Sequence, residues 1–434
     1  MKYLSTRGKS EAVTFGQAVA QGLAPDGGLY MPESWPRLSI ADFDGATTLA
    51  EVAEILLRPF VAGDPIAPQL GEIVREAFDF PAPLVPVNED GSLSVLELFH
   101  GPTAAFKDFG ARFLASALSR IRKDSSRPLN ILVATSGDTG GAVAAAFHRR
   151  PGVQVSVLFP KGLVSPTQER QLTCWGDNVH AYRVSGSFDD CQRMVKEAFV
   201  DANLRSRFEL SSANSINLGR LLPQAVYYAA TSLAVYRKSG RAPNFIIPSG
   251  NLGNSVACVW AKTVGLPIGR LVLAHNANRA VPDFLTTGNW QPRASVATLA
   301  SAMDVGSPSN MERLRALFPD LPQIRAAVQA ASVTDEQIRE RIAADFRSYG
   351  KAWCPHTATA AEVYARLAPD ERQDTLWVLV STAHPAKFHE IVQPLMGQRI
   401  EMPESLAKLF SRPVSCADLE PTLAALSGAL GKAR

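Results

Sequence analysis

The chain has 434 residues, 46% apolar and 20% charged, with a net charge of +3. This is the composition of a globular protein with room for two or three domains. Its interspersed charges give no reason to expect a nucleic-acid or membrane partner, and no apolar run approaches the roughly 18 residues of a membrane span.

The first region, residues 1–92, opens on MKYLSTRGKSEAV, which lacks the apolar core of a signal peptide. GLAPDGGLYMPESWP follows, dense in Gly and Pro, and reads as an ordered loop with short extended pieces. Helical periodicity appears over Thr48–Phe60 and Gln69–Phe78. A proline-rich stretch and the turn NEDGS then lead into a strand, Leu93–Leu98, where a domain boundary is expected.

Residues 93–395 have a different rhythm. Short β-branched runs alternate with small-residue loops and helices: Ile131–Thr135, Val153–Phe159, Val179–Val184, Phe245–Pro248, Leu271–His275 and Leu376–Ser381. That alternation predicts an α/β fold of doubly wound, mostly parallel sheets, which bind ligands at the carboxyl ends of their strands. Glu336 to Ala344 and the tail, 396–434, read as surface helices.

Three stretches at those strand ends carry chemistry. In HGPTAAFKDFGARFL, Lys107 heads a helix whose apolar positions are Phe109, Phe113, Leu114, Ala117, Leu118 and Ile121. The helix dipole opposes a cation there, and the aromatic neighbours lower the cost of a neutral amine, which can form a Schiff base with a carbonyl. Taken alone, a solvated lysine opening a helix is the commoner reading. The second stretch is Ser249-Gly250-Asn251-Leu252-Gly253-Asn254, between a strand and the helix Ser255–Val264. Its glycines and the helix N-terminus suit a phosphate; as a plain strand-to-helix turn it would look the same. Third, Ala134-Thr135-Ser136-Gly137-Asp138-Thr139-Gly140-Gly141 can hold a carboxylate or second phosphate, or be a helix start capped by Asp138 or Thr139. A Schiff-base lysine, a phosphate cradle and a second anion loop on one α/β sheet together point to pyridoxal phosphate, which carries both an aldehyde and a phosphate. The seven histidines are scattered with no HExxH, so no metal site is expected. The five cysteines form no CxxC and read as reduced thiols in a cytoplasmic protein.

Taken in order, HGPTAAFKDFG, ATSGDTGGAV, SANSINLGR, PSGNLGN, SAMDVGSPSN, PHTATA and STAHPAKF resemble the motifs of the threonine synthases. These are fold-type II pyridoxal-phosphate enzymes related to the tryptophan synthase β-subunit. YLSTRG and APDGGLYMP are similar to the N-terminal domain of the same family, so the resemblance covers nearly the whole chain. It implies an N-terminal domain, two subdomains around a cofactor cleft and a helical tail. It implies that Lys107 holds the cofactor and then exchanges protons, and that Gly250, Asn251, Leu252, Gly253 and Asn254 bind the cofactor phosphate. Thr382 would face the pyridine nitrogen; without the family it reads equally as a strand-end cap. Ser136, Asp138 and Thr139 would lie near substrate, and Asn214, Ser215, Asn217 and Arg220 would bind its phosphate or carboxylate. Arg220 alone reads as a surface charge. The implied reaction turns O-phospho-L-homoserine and water into L-threonine and phosphate. Alternatives are a phospho-lyase releasing 2-oxobutyrate and a non-catalytic relative. Both a monomer and a homodimer are compatible with the sequence. His384 and Lys387 fall in a family motif, with structural roles and substrate contact equally open.

Overall fold

The computed structural model describes residues 1–432 apart from Asp124, Ser126, Gln373 and Asp374. Among these residues the strands are β1 (Tyr3–Ser5), β2 (Tyr30–Pro32), β3 (Leu84–Pro86), β4 (Leu93–Glu97), β5 (Leu129–Ala134), β6 (Val153–Pro160), β7 (Val179–Val184), β8 (Glu209–Ser212), β9 (Asn244–Pro248), β10 (Leu271–His275), β11 (Gln329–Ser332), β12 (Trp377–Ser381) and β13 (Ala417–Leu419). They form a β1-β2 ribbon, a six-stranded sheet in the order β11-β10-β9-β12-β4-β3, and a five-stranded sheet in the order β13-β7-β6-β5-β8. Pairing is parallel throughout the two large sheets except between β3 and β4.

The expected α/β rhythm is present, in two mostly parallel sheets. The chain starts the six-stranded sheet at β4, leaves it for β5 to β8, and returns for β9 to β12. Crossover connections look alike in sequence whether they stay in a sheet or change sheets. The run LNILVA of β5 and the run WVLVS of β12 are buried at every residue, as expected for parallel strands covered on both faces.

Two boundaries differ from expectation. β3 lies before residue 93 yet pairs with β4, so the six-stranded sheet begins inside the first region. The tail is more than surface helix. β13 extends the five-stranded sheet beside β7, and Leu426 and Leu430 of the Leu423–Lys432 helix are buried in the cluster with Val184 and Met194.

The Lys107–Ile121 helix lies at the centre of the molecule. Its expected inward face is buried, Ile121 only in part, and so are Gly110, Ala111, Ala115 and Ser116. Small residues on its other faces let neighbouring helices close in, which makes it a core helix rather than an amphipathic one. At Gly110 a Cβ would lie 2.4 Å from the carbonyl oxygen of Arg220, so the Leu218–Leu221 turn approaches to backbone contact. All five cysteines are free thiols.

Candidate active site

Topology brings the separate motifs together. β9 and β12 are neighbouring parallel strands, so the turn after β9 and Thr382 after β12 leave the same sheet edge side by side, about 5 Å apart. The loop that carries Lys107 is stitched to that edge. The N–H of Phe106 donates to the Thr382 carbonyl at 2.8 Å, and the N–H of His384 donates to the Ala104 carbonyl at 3.0 Å. Ala105 bridges Ala383.

Lys107 is the first residue of its helix, and its amine lies 4.7 Å from the centre of the Phe106 ring. The residue keeps partial exposure, yet burial pulls its amine down to about 8. Asp138 pulls the other way, while Arg220 and Lys387 add to the lowering. A measurable fraction of a lysine tuned in this way is neutral near pH 7, as a Schiff-base nucleophile or a base requires.

The Ser249–Asn254 turn is built for an anion. Leu252 adopts a left-handed conformation, φ 62°, immediately before the Gly253–Thr263 helix. A Cβ at Gly250 would lie 2.7 Å from the Cα of Met303, so no side chain fits. The first N–H groups of the helix have no intrahelical acceptor. The Oδ1 of Asn254 accepts from the hydroxyls of Tyr227 and Tyr228, and its Nδ2 is buried without a partner. An unused amide donor at a helix N-terminus fits a phosphate. Partly exposed Lys107 and the anion-suited helix start at the same sheet edge therefore fit pyridoxal phosphate, which carries an aldehyde and a phosphate.

The second anion loop follows β5. Gly137, φ 138°, caps the Asp138–Phe147 helix, and the Thr135 hydroxyl accepts from the N–H groups of Gly137 and Gly140 at 3.0 and 2.9 Å. The cap is therefore neither Asp138 nor Thr139. Thr135 takes the capping role and frees the Asp138 carboxylate for other partners. Lys387 Nζ approaches its Oδ1 at 2.8 Å, and Gln168 Nε2 donates to the same oxygen at 3.0 Å. Burial opposes the charge on Asp138, and Lys387, His356 and Lys107 together overcome it, so the carboxyl stays far below its usual range. Ser136 and Thr139 keep partial exposure beside it.

The Asn214–Arg220 loop closes the cradle. Asn251 Nδ2 donates to Ser215 Oγ at 2.8 Å, and Asn214 Nδ2 donates to the Ala134 carbonyl at 3.2 Å. Asn217 is wholly buried; it donates to the carbonyls of Val19 and Ser212 and accepts from the N–H of Gly219. Its polar atoms are committed to holding the loop. Arg220 is buried rather than a surface charge; it donates to the Ala213 carbonyl, and its Nε has no partner.

Gln168, Gln171, His356, Asn310 and Arg313 join the site although the sequence assigns them no role, and Lys387, whose role the sequence leaves open between structure and substrate contact, joins it too. Gln168 and Lys387 contact Asp138, and Gln171 Nε2 donates to the Thr103 carbonyl at 2.9 Å. His356, driven down to about 4 by burial, accepts from the N–H of Ala302 at 3.1 Å. Asn310 Nδ2 donates to the Asn251 carbonyl at 2.9 Å, and buried Arg313 donates to the carbonyls of Ser215, Ile216 and Tyr30. The signal for His356, Lys387 and Asn310 was their place inside PHTATA, STAHPAKF and SAMDVGSPSN.

Comparison with known proteins agrees along the whole chain. Residues 79–383 match the family described as pyridoxal-phosphate dependent enzyme, residues 2–78 the threonine synthase N terminus, and residues 357–429 the threonine synthase C-terminal family. Threonine synthase of Haemophilus influenzae is 40% identical, with all of both chains covered. The crystal structure of threonine synthase from Escherichia coli superposes with a TM-score of 0.91 at 39% identity, covering all of both chains. A pyridoxal-phosphate-bound threonine synthase from Brucella melitensis gives 0.90 at 34% identity, covering 100% of this chain and 99% of that one. By sequence along its full length and by fold, the chain belongs to the threonine synthase family of pyridoxal-phosphate enzymes.

Proposed function

We propose that this chain acts as a threonine synthase on O-phospho-L-homoserine, with Lys107 as the residue that binds pyridoxal phosphate and transfers protons. The observation that carries the reading is the meeting, at one sheet edge, of a desolvated lysine, the Thr382 loop and the anion-binding turn after β9. The five free thiols agree with a cytoplasmic setting.

Bound pyridoxal phosphate supplies a conjugated, electron-withdrawing ring that stabilises negative charge on substrate carbons. The turn Gly250 to Asn254 anchors its phosphate through backbone N–H groups and the free Asn254 amide. Thr382 presents a hydroxyl to the ring nitrogen; unlike a carboxylate, it does not hold that nitrogen protonated. Ser136 and Thr139, with the N–H groups opening their helix, hold the substrate carboxylate. Asn214 and Ser215 hold the substrate phosphate in the positive field of Arg220. Lys107 takes the α-proton in its neutral form. Loss of a β-proton then forms the Cβ–Cγ double bond and expels the γ-phosphate. Lys107 returns a proton at the γ-carbon, and water adds its hydroxyl at the β-carbon while a proton returns to the α-carbon. The site must exclude water until elimination is complete, so the two sheets are expected to close on substrate.

The test is chemical. Borohydride reduction of the purified protein, followed by proteolysis and mass spectrometry, is expected to find the cofactor mass on Lys107. Lys107→Ala is expected to lose both that adduct and turnover. An adduct on another lysine, or full turnover in Lys107→Ala, would overturn the reading.

A further inference from the structure

Lys387 joins the two large sheets through Asp138. It follows β12 of the six-stranded sheet, and Asp138 follows β5 of the five-stranded one. Their side chains are 0% and 3% exposed and meet at 2.8 Å. A second donor hydrogen of Lys387 goes to the Thr103 carbonyl at 2.9 Å. Thr103 is itself fixed by Asp108, which accepts from its N–H at 2.9 Å and from its hydroxyl at 2.6 Å. Lys387 is thus held by the turn that leads into Lys107, and it holds the carboxylate that faces Lys107.

The charges around the Lys107 amine come from three elements: Asp138, Arg220 and Lys387. Asp138 in turn is faced by Lys387, His356 and Lys107, with the neutral Gln168 amide on Oδ1. Asp138 alone favours a charged Lys107. A buried carboxylate beside a buried amine would make a tight pair, and such an amine is neither a nucleophile nor a base.

We infer that Lys387 is a positioning residue that occupies Asp138, so that this carboxylate orders the substrate loop without capturing the Lys107 amine. The inference rests on the reading that Lys107 is the cofactor lysine. Two effects of Lys387 act in the same direction: its charge repels a second cation at Lys107, and its contact quenches the attraction from Asp138. Asp138 stays ionised as the acceptor for Gln168, which keeps the Pro166–Thr173 helix against the Gly137 turn, where a Cβ would lie 2.5 Å from that amide.

The experiment uses the full-length protein after its cofactor is removed with a carbonyl reagent. Pyridoxal phosphate is added back, and the rate at which visible absorbance returns is followed against pH. The rate reports the neutral fraction of Lys107, so wild type is expected to rise through a midpoint near pH 8. Lys387→Met is expected to move the midpoint up by roughly one pH unit or more, the effect of an unquenched opposite charge nearby. Asp138→Asn is expected to move it down. The double variant Asp138→Asn with Lys387→Met is expected to return towards wild type, and Lys387→Arg to stay close to it. A packing defect would not be reversed by the second substitution. An unchanged midpoint in Lys387→Met, or a shift the double variant keeps, overturns the inference. If Lys387→Met does not fold, the Asp138→Asn midpoint decides: no downward shift overturns the inference as well. Return of absorbance in Lys107→Ala would instead show that the reading of Lys107 has failed.

Discussion

The N–H of Phe106 donates to the carbonyl of Thr382 at 2.8 Å, so the residue before Lys107 is pinned to Thr382, the residue proposed to face the ring nitrogen. The bond uses only backbone, which leaves the Thr382 side chain free for chemistry. Thr382→Val keeps the shape and this bond and removes the hydroxyl. Loss of one neutral hydrogen bond is worth about 1 kcal/mol, so kcat is expected to fall about 3- to 10-fold with the melting temperature little changed. Steady-state kinetics and a thermal melt check this; unchanged kcat would move Thr382 away from the ring.

Gly250→Ala places a Cβ 2.7 Å from backbone at Met303, and backbone cannot step aside as a side chain can. The substitution is expected to destabilise by about 1–3 kcal/mol and to weaken cofactor retention. Ultrafiltration of the holoenzyme, with cofactor measured in the filtrate, reads the second effect. Full retention would mean the turn does not hold the phosphate.

Asn251 joins three segments. It donates to Ser215 Oγ at 2.8 Å, accepts from the N–H of Ser309 at 2.5 Å, and its carbonyl accepts from Asn310. Asn251→Ala removes the first two; Ser309 is exposed, so water takes its N–H, and the cost is about 1 kcal/mol. Because Ser215 belongs to the proposed substrate loop, KM for O-phospho-L-homoserine is expected to rise more than kcat falls. The reverse split would assign Asn251 to the chemical step.

Glu76 shows how the first region is fastened to the catalytic core. Burial opposes its charge, but hydrogen bonds from Ser116, Arg150 and Arg120 outweigh that and hold it at about 2, against an ordinary 4.5. Its folded pKa is depressed, so the stability it contributes is present above pH 4.5 and is lost as pH falls towards 2. Glu76→Gln is expected to cost about 1–2 kcal/mol at pH 7, discounted for its partial exposure, and to narrow its gap to wild type below pH 4. Denaturant unfolding at several pH values checks this; a pH-independent gap would contradict it.

What was legible in the sequence was local. The strands Val179–Val184 and Leu271–His275 and the start of the Lys107 helix lie where periodicity and turn residues placed them. The Ser255–Val264 helix starts two residues earlier, at Gly253, because the bend is made by a left-handed Leu252 rather than a glycine. β8, β11 and β13 were not legible. Their runs ELSS, QAAS and ADL are short and barely apolar, and neighbours complete them rather than propensity. The site was legible as motifs but not as partnerships. Nothing near Asp138 in sequence announces Lys387, and nothing about Arg220 distinguishes a buried guanidinium from a solvated one until the turn against Gly110 is seen.

The most direct test of the account is to incubate the purified protein with O-phospho-L-homoserine and to quantify phosphate, threonine and 2-oxobutyrate in the same sample. The account predicts threonine and phosphate in equal amounts, with neither formed by Lys107→Ala. Phosphate accompanied by 2-oxobutyrate in place of threonine would contradict it and make the protein a phospho-lyase.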